Sequence, residues 1–377
     1  MVPEAAAASD DAIVGYCRSW NEEKGFGFVA ADDVATHGRA QIFVHRSSIK
    51  DGNCLMPNGK ITYHAVDNDR KPGEKKAVRV TGGVCRAHLT GECRRGSNCK
   101  WSHARVVTRG EEAVAEADSA LAALEHCSSI RKTVLVDTEE ACREHCGRMI
   151  EAGGAVAVDF EGVKLSRHGA LCLAQLAAET GPVVLVDVEK LGEACFGTGR
   201  LKELLESPSL LKLIYDGRAD ADALFHLHGV RLTHVCDCQV LFAYHTDGPM
   251  APADSGGAGG GGEGGGGRLR LGSLKRALEA CGRIPADEAA ALVRLKEAVV
   301  SRFDPNHGGS YEVWRDRPLD AALVAYAGAD VAHLHTLRVA WGEMLAPESM
   351  AAITEARISK AIDEGLTGKD MVWRDFA

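Results

Sequence analysis

The sequence predicts a multidomain protein in which a small all-β barrel precedes a metal-binding segment and an α/β domain. Residues 12–82 hold short alternating apolar runs separated by turn signals, which is typical of a small barrel. Residues 83–104 are rich in Cys, His and Gly and are too short for an apolar core. From residue 131 onwards, strand patterns alternate with helical patterns, which indicates an α/β fold.

The charge of the chain is unevenly distributed. The whole chain of 377 residues has a formal net charge of −9, which argues against a protein that coats nucleic acid along its full length. Between Arg70 and Arg105, however, ten Lys or Arg residues stand against two acids, so the local formal charge is +8. A basic island in an acidic chain indicates a nucleic-acid-binding segment, with an ordinary solvated surface as the alternative.

The cysteine content and the N-terminal stretch bear on the cellular compartment. The chain has 13 cysteines, and MVPEAAAASDDA has neither the pattern of a secretory signal nor that of a transit peptide. No apolar run reaches membrane-spanning length. We therefore expect an intracellular protein, cytoplasmic or nuclear and not secreted, whose cysteines are free or bound to metal.

Three further segments separate or follow these domains. Ala and Leu at helical spacing predict a helical connector within residues 105–130. Residues 255–267 consist almost entirely of glycine, and we expect a disordered loop there because the segment has too few apolar side chains to offset its ordering entropy. The α/β domain is expected to cover residues 131–345, with a helical tail over residues 346–377.

The Cys-rich segment has the spacing of a zinc site. The pattern C-x7-C-x5-C-x3-H joins four residues, Cys85, Cys93, Cys99 and His103. Three thiolates and an imidazole suit one tetrahedral structural zinc ion, and this spacing favours zinc over unrelated thiols. The stretch LTGECRRGSNCKWSH resembles the CCCH zinc-finger family. That resemblance implies binding of single-stranded RNA, with Trp101 as a base-stacking side chain.

Aromatic side chains cluster on two neighbouring strands of the predicted barrel. Strand alternation places Phe26 and Phe28 on one face, and the second run contributes Phe43 and His45. Exposed aromatics on a sheet provide a stacking platform for unpaired bases, worth about 1–3 kcal/mol per base. The alternative is a barrel core. The separation of the two clusters and the nearby basic residues, Lys24 among them, favour the platform.

Most of residues 12–82 resemble the cold-shock domain. The stretches KGFGFVA and IFVHRSSI resemble its two ribonucleoprotein motifs, which implies an OB-type barrel that binds single-stranded RNA or DNA. By this resemblance, base stacking falls to the four residues Phe26, Phe28, Phe43 and His45. Ser19 stands where many members have Trp, and Trp20, one place later, is a further candidate contact.

Acidic residues occur at the ends of several elements of the α/β domain. Asp159 and Glu161 follow a buried strand run and lie on one face of it, where two like charges need compensation. Asp220 begins a helix, and Tyr326 and Asp330, four residues apart, share a helix face. Singly, each pattern is more often a solvated acid or a core tyrosine than a catalytic group. Together, these oxygen ligands can hold two divalent cations, Mg²⁺ or Mn²⁺.

The order D-x-E, D-x3-L, Y-x3-D resembles the tyrosine branch of the DEDD exonuclease superfamily. Ribonuclease D, the Werner exonuclease and Egalitarian-type domains belong to it, and the resemblance covers roughly residues 131–345. It implies a ribonuclease-H-like fold with a mixed sheet flanked by helices. It also implies 3′–5′ exonuclease activity that releases nucleoside 5′-monophosphates, with Tyr326 positioning the attacking water. The implied metal ligands are Asp159, Glu161, Asp220 and Asp330.

Three functions remain open at this point. The leading hypothesis is a metal-dependent 3′–5′ exonuclease acting on single-stranded RNA, captured by the barrel and the finger. The second is an RNA-binding adaptor on an inactive exonuclease fold, against which the presence of all four acids argues. The third is an exonuclease directed at DNA, because cold-shock domains bind either kind of single strand.

Overall fold

The computed structural model describes residues 12–32, 37, 41–125, 131–247, 268–365 and 373–375. The glycine-rich segment predicted to be disordered, residues 255–267, lies outside this description. The chain divides into two compact units, with the division after residue 115. In the described ranges no helix is both long enough and apolar enough to cross a membrane.

The first unit contains a closed five-stranded barrel with strand order β1-β2-β3-β5-β4. Its strands are β1 Ile13–Asn21, β2 Phe26–Ala31, β3 Ile42–His45, β4 Lys60–Asp67 and β5 Lys75–Thr81. The side chains that point inward form its core, among them Val29, Val44 and Tyr63. A register shift in β1 between Cys17 and Ser19 changes which of the following residues face inward.

The Cys-rich segment is attached to the barrel by backbone hydrogen bonds. It begins at the short helix α1 (Arg86–Leu89), whose first N–H donates to Asn53 Oδ1 over 2.8 Å. The N–H of Ser102 donates to the carbonyl of Asp51 over 2.7 Å, and Cys54 pairs with Val84 in an isolated β-bridge. These bonds fix both ends of the segment to the same loop of the barrel.

The second unit is built on a six-stranded mixed sheet with order β11-β10-β7-β8-β9-β6. Strand β8 is antiparallel to both β7 and β9, whereas β10 is parallel to β7 and to β11, and β6 is parallel to β9. The strands are β6 Thr133–Val136, β7 Ala155–Val163, β8 Ala170–Ala178, β9 Val183–Asp187, β10 Leu211–Ile214 and β11 Val235–Asp237.

Helices cover both faces of this sheet. The longer ones are α2 Arg109–Glu125, α3 Glu139–Ala152, α7 Arg218–His228, α8 Cys238–Asp247, α10 Ala286–Phe303, α11 Ala321–Ala332, α12 Leu334–Trp341 and α13 Pro347–Glu364. The shorter ones are α4 Val188–Leu191, α5 Glu193–Phe196, α6 Leu201–Glu206 and α9 Leu274–Ala280. The first residues of β7 show that both faces of the sheet are buried. Ala155 and Ala157 belong to the hydrophobic core on one face, and Val156 and Val158 belong to the core on the other.

The predicted fold class is confirmed, with one difference at the C-terminal end. The barrel, the Cys-rich segment and the mixed sheet flanked by helices are all present. Residues 346–377, predicted to be a helical tail, contain the helix α13, whose Met350 and Ile358 are buried in the cores, and also a strand, β13 Trp373–Asp375. This strand pairs antiparallel with β12 Arg268–Arg270, a long-range contact that local sequence cannot signal.

Candidate active site

Three carboxylates from two elements of the second unit converge. Asp159 and Glu161 lie on β7, where they pair with Gln175 and Leu173 of β8, and Asp330 projects from α11. One oxygen from each carboxylate lies within 4.8 Å of the others. The strand supplies two acids on one face, and the helix brings the third across the end of the sheet.

The electrostatics of this cluster favour a bound cation. Burial raises the pKa of Asp159 and of Glu161 well above the usual range, and repulsion from Asp330 raises both further. The Oδ2 atom of Asp330 is buried and has no hydrogen-bond partner among the described residues. Oxygen-only ligands with an unused buried lone pair suit a hard divalent cation, so the residues present fit the metal that the sequence predicts.

Asp220 lies near this group but outside it. It is in the first turn of α7 and is 7% exposed. Burial raises its pKa well above the usual range, and the neighbouring carboxylates, Asp330 among them, raise it further. The acids on either side have arginine partners, Arg218 for Asp216 and Arg167 for Asp222. In the part of the chain that the structure describes, Asp220 has no such ion pair, so its carboxylate remains available.

Tyr326 stands beside the cluster on the same helix as Asp330. Its ring packs against Phe303, with 5.1 Å between centroids, and against Trp314, with 6.3 Å. Burial raises the pKa of its hydroxyl well above 10, and the charges of Asp330, Glu161 and Asp159 raise it further. The hydroxyl therefore stays protonated and able to donate a hydrogen bond.

Lys296 is a member of the site that sequence reasoning missed. It lies on α10, its Nζ forms an ion pair with Asp330 Oδ1, and it stands 4.2 Å from the centroid of the Tyr326 ring. Its side chain is 10% exposed. Its place in the helix was an available signal that Lys296 is buried. Leu292 and Val299, four residues before it and three after it, lie on the same helix face and are buried.

Buried ion pairs hold the elements around the cluster. Arg357 of α13 contacts Asp237 at the end of β11 over 2.6 Å and Asp216 after β10 over 3.1 Å. In the segment WRDRPL, the guanidinium of Arg317 donates two hydrogen bonds of 2.6 Å to Asp187 at the end of β9. Asp237 and Asp187 therefore position neighbouring elements.

The predicted zinc ligands of the first unit also converge. One ligand atom from each lies within 4.8 Å of the others, the set being Cys85, Cys93, Cys99 and His103. Within the described chain, Nε2 of His103 is buried without a partner, and the His88 ring stacks on its ring at a centroid distance of 4.0 Å. The backbone N–H of Arg95 lowers the pKa of Cys93. Three sulfurs and one nitrogen at this spacing fit a tetrahedral zinc ion.

The aromatic residues of the barrel form one surface. Phe26, Phe28 and Phe43 lie 5.7–6.5 Å apart between ring centroids. Phe26 pairs with the exposed His45, and Phe28 is 37% exposed. We call these four residues the aromatic surface.

The other predicted nucleic-acid contacts are placed differently. Trp20 pairs with Gly27 and packs against the barrel core, because Ser19 occupies the position opposite Phe28. The structure thus places Trp20 off the aromatic surface. Lys24 is exposed in the turn between β1 and β2, and Trp101 is half-buried with Lys100 Nζ 4.4 Å from its ring centroid.

Two family models match the chain. Residues 13–82 match the "cold-shock" DNA-binding domain, and residues 133–251 match a 3′–5′ exonuclease domain. The predicted cold-shock and exonuclease domains are thereby confirmed. The Cys-rich cluster fits the predicted zinc finger.

Several known proteins are similar to parts of this chain. The piRNA biogenesis protein EXD1 of Mus musculus is 34% identical over 125 residues, which are 32% of this chain and 22% of that protein. EXD1 of Xenopus laevis is 28% identical over 197 residues, 51% of this chain and 38% of that protein. The chain thus matches well under half of the length of these relatives. Trypanosoma brucei RNase D, solved as a GMP complex, shares the fold, with a TM-score of 0.50 and 20% identity over 66% of this chain and 69% of that one.

Proposed function

We propose that this chain, which contains a cold-shock domain and a DEDD-type 3′–5′ exonuclease domain, degrades or trims single-stranded RNA from its 3′ end. The observation that carries the proposal is the convergence of Asp159, Glu161 and Asp330 around a buried, unpartnered oxygen. Carboxylates in such a cluster repel one another unless a cation lies between them. A purely structural cluster would bring an arginine to each acid, as this chain does at Asp216 and Asp222.

The metal ligands in this proposal are Asp159, Glu161, Asp220 and Asp330, which would hold two Mg²⁺ or Mn²⁺ ions. When bound, such a pair supplies an activated water and neutralises charge on the phosphodiester that is cleaved. The rigid strand β7 holds two of the acids in place. The protonated hydroxyl of Tyr326 orients the attacking water by a hydrogen bond, and hydrolysis then releases a nucleoside 5′-monophosphate.

The first unit captures the substrate in this proposal. The aromatic surface stacks bases, Lys24 contacts backbone phosphate, and Trp101 of the finger stacks a further base. Linking these modules to the exonuclease domain raises the local concentration of the 3′ end, so modest affinities suffice. RNA is favoured over DNA because the finger resembles RNA-binding CCCH fingers and because the matched relatives are named for piRNA biogenesis. A cytoplasmic or nuclear location stays a prediction.

Digestion of labelled oligonucleotides tests the proposal. Single-stranded RNA labelled at its 5′ end should shorten one nucleotide at a time in Mg²⁺ or Mn²⁺, and RNA labelled at its 3′ end should release labelled monophosphate at once. The double variant Asp159→Asn with Glu161→Gln should bind RNA and cleave none. The matched control is Asp137→Asn, because Asp137 is a half-exposed acid that forms a surface ion pair with Lys190.

Other outcomes would redirect the assignment. RNA binding without cleavage by the unmodified chain would favour the adaptor. Faster cleavage of single-stranded DNA than of RNA would favour the DNA-directed exonuclease. Equal cleavage by the unmodified chain and the double variant would refute the site.

A further inference from the structure

Lys296 places a positive charge inside the acidic cluster. Its Nζ bonds to Asp330 Oδ1, and its charge lowers the pKa of Asp159, of Glu161 and of Asp330, opposing the effect of burial. A lysine at the centre of an 18-residue helix usually extends to solvent, but this one is 10% exposed and lies against Tyr326. The helix therefore directs an ammonium into the place where the carboxylates face one another.

The contact occupies one of the two oxygens through which Asp330 could bind a metal ion. Asp330 has two oxygens, of which Oδ1 accepts from Lys296 and Oδ2 is buried without a partner in the described structure. Four carboxylates and one ammonium give the site a formal charge of −3, one less negative than the acids alone. An ammonium that neutralises part of this charge stabilises the cluster before metal binds, and it weakens the attraction for a divalent cation.

We propose that the ammonium of Lys296 competes with a divalent metal ion for Asp330. The competition sets the concentration of metal ion that is needed to fill the site. The inference rests on the proposed function, because it takes the cluster to be a metal site. In this role Lys296 is a positioning residue, since it acts through Asp330 and Tyr326.

Manganese binding provides a test that does not depend on activity. The full chain, with its zinc retained, is titrated with Mn²⁺, and free Mn²⁺ is followed by electron paramagnetic resonance. Replacing the ammonium by an isosteric apolar group in Lys296→Met should tighten the weaker Mn²⁺ site about tenfold, because a neighbouring positive charge is removed. The conservative variant Lys296→Arg should bind no more tightly than the unmodified chain.

A matched control separates this effect from general loss of charge. Lys275→Met also removes an ammonium paired with a carboxylate of α10, Glu297, at a more exposed position, and should leave Mn²⁺ affinity unchanged. If Lys296→Met does not fold, Lys296→Gln carries the same expectation. Unchanged or weaker Mn²⁺ binding in the neutral variant overturns the inference.

The two proposals fail in different ways. If the unmodified chain binds Mn²⁺ and loses it in Asp159→Asn with Glu161→Gln, the metal site stands whatever Lys296 does. If neither the unmodified chain nor Lys296→Met binds Mn²⁺ at those acids, both the metal site and the competition are refuted.

Discussion

The guanidinium of Arg357 and the carboxylate of Asp237 form a buried ion pair, with 2.6 Å between Nη1 and Oδ2. The same guanidinium also contacts Asp216 over 3.1 Å, and the Arg357 side chain is 5% exposed. Helix α13 is thereby attached to the ends of β10 and β11, next to the start of α7 that carries Asp220. A residue far from Asp220 in sequence thus supports the start of the helix that carries it.

Removing this arginine should destabilise the second unit. Arg357→Met leaves Asp237 and Asp216 with less compensation, and we expect the free energy of unfolding to fall by about 3–5 kcal/mol. Urea unfolding followed by circular dichroism measures the change. The control on the same helix is Lys360→Met, whose exposed pair with Glu364 should matter by less than about 1 kcal/mol. A loss for Arg357→Met as small as that of the control would contradict the expectation.

The hydroxyl of Tyr326 should affect the rate of RNA cleavage and not the stability of the fold. In Tyr326→Phe the ring contacts with Phe303 and Trp314 remain, so we expect kcat on RNA to fall roughly 100-fold with KM little changed. Single-turnover cleavage measures this. The matched control, Tyr215→Phe, loses a 2.8 Å hydrogen bond to the carbonyl of Gly272 and should change stability but not kcat. Equal rate losses in both variants would remove the role assigned to Tyr326.

The acidic cluster should make stability depend on pH when Mg²⁺ and Mn²⁺ are absent. Burial and repulsion raise the pKa of Asp159 and Glu161, so the folded state retains protons that the unfolded chain has released. Their contribution to the free energy of unfolding is therefore favourable at low pH and is lost as pH rises from about 4 through the raised pKa values.

A variant without these charges isolates the effect. At pH 8 in metal-free buffer, Asp159→Asn with Glu161→Gln should be more stable than the unmodified chain by about 1–3 kcal/mol. The difference should shrink towards pH 4, and Mn²⁺ should stabilise only the unmodified chain. Denaturant unfolding across this pH range measures both. A stability difference that does not change with pH would show that folding does not raise the pKa values of the two acids.

Affinity for single-stranded RNA should depend on the aromatic surface and not on Trp20 at the barrel core. Phe28→Leu removes an exposed ring, and we expect affinity for a 12-nucleotide RNA to fall about tenfold, in keeping with stacking worth about 1–3 kcal/mol per base. Trp20→Phe changes a residue packed on the core and should leave affinity within about twofold while lowering the thermal midpoint. Fluorescence anisotropy measures the affinities. The reverse order of effects would place Trp20 in contact with RNA.

The finger should require zinc, and RNA binding by the first unit should depend on it. Cys93→Ser should lower bound zinc from one equivalent to none, measured by mass spectrometry of the native protein. It should also raise KM for RNA with kcat retained, because the active site lies in the other unit. Ser97→Ala, an exposed change inside the same segment, should keep its zinc. Retention of zinc by Cys93→Ser would exclude that thiol as a ligand.

Local patterns in the sequence predicted the elements and most of the site, and tertiary contacts account for the rest. The run AVAV before Asp159 identifies a doubly buried strand, and the spacing of Tyr326 and Asp330 identifies one helix face. The arginines that pair with Asp216 and Asp222, and so leave Asp220 available, include distant ones such as Arg167 and Arg357.

Two departures from the expected site have physical causes. The periodicity of α10 indicates that Lys296 is buried, but its ion pair with Asp330 joins two helices, so no local pattern indicates the partner. Trp20 was a candidate because it is next to Ser19, but the register shift in β1 settles which of the two faces Phe28. A one-residue change of register reverses the face of every following side chain.

The position of β7 within the sheet also fixes where the site can move. This strand is hydrogen-bonded on both sides, to β10 and to β8, and its amides should exchange with solvent deuterium more slowly than those of the surrounding helices. Asp159 and Glu161, which pair with Gln175 and Leu173 of β8, lie just beyond the residues of β7 that pair with both neighbouring strands. Any adjustment that accompanies the loading of the site falls to α10 and α11, the helices that carry Lys296 and Asp330.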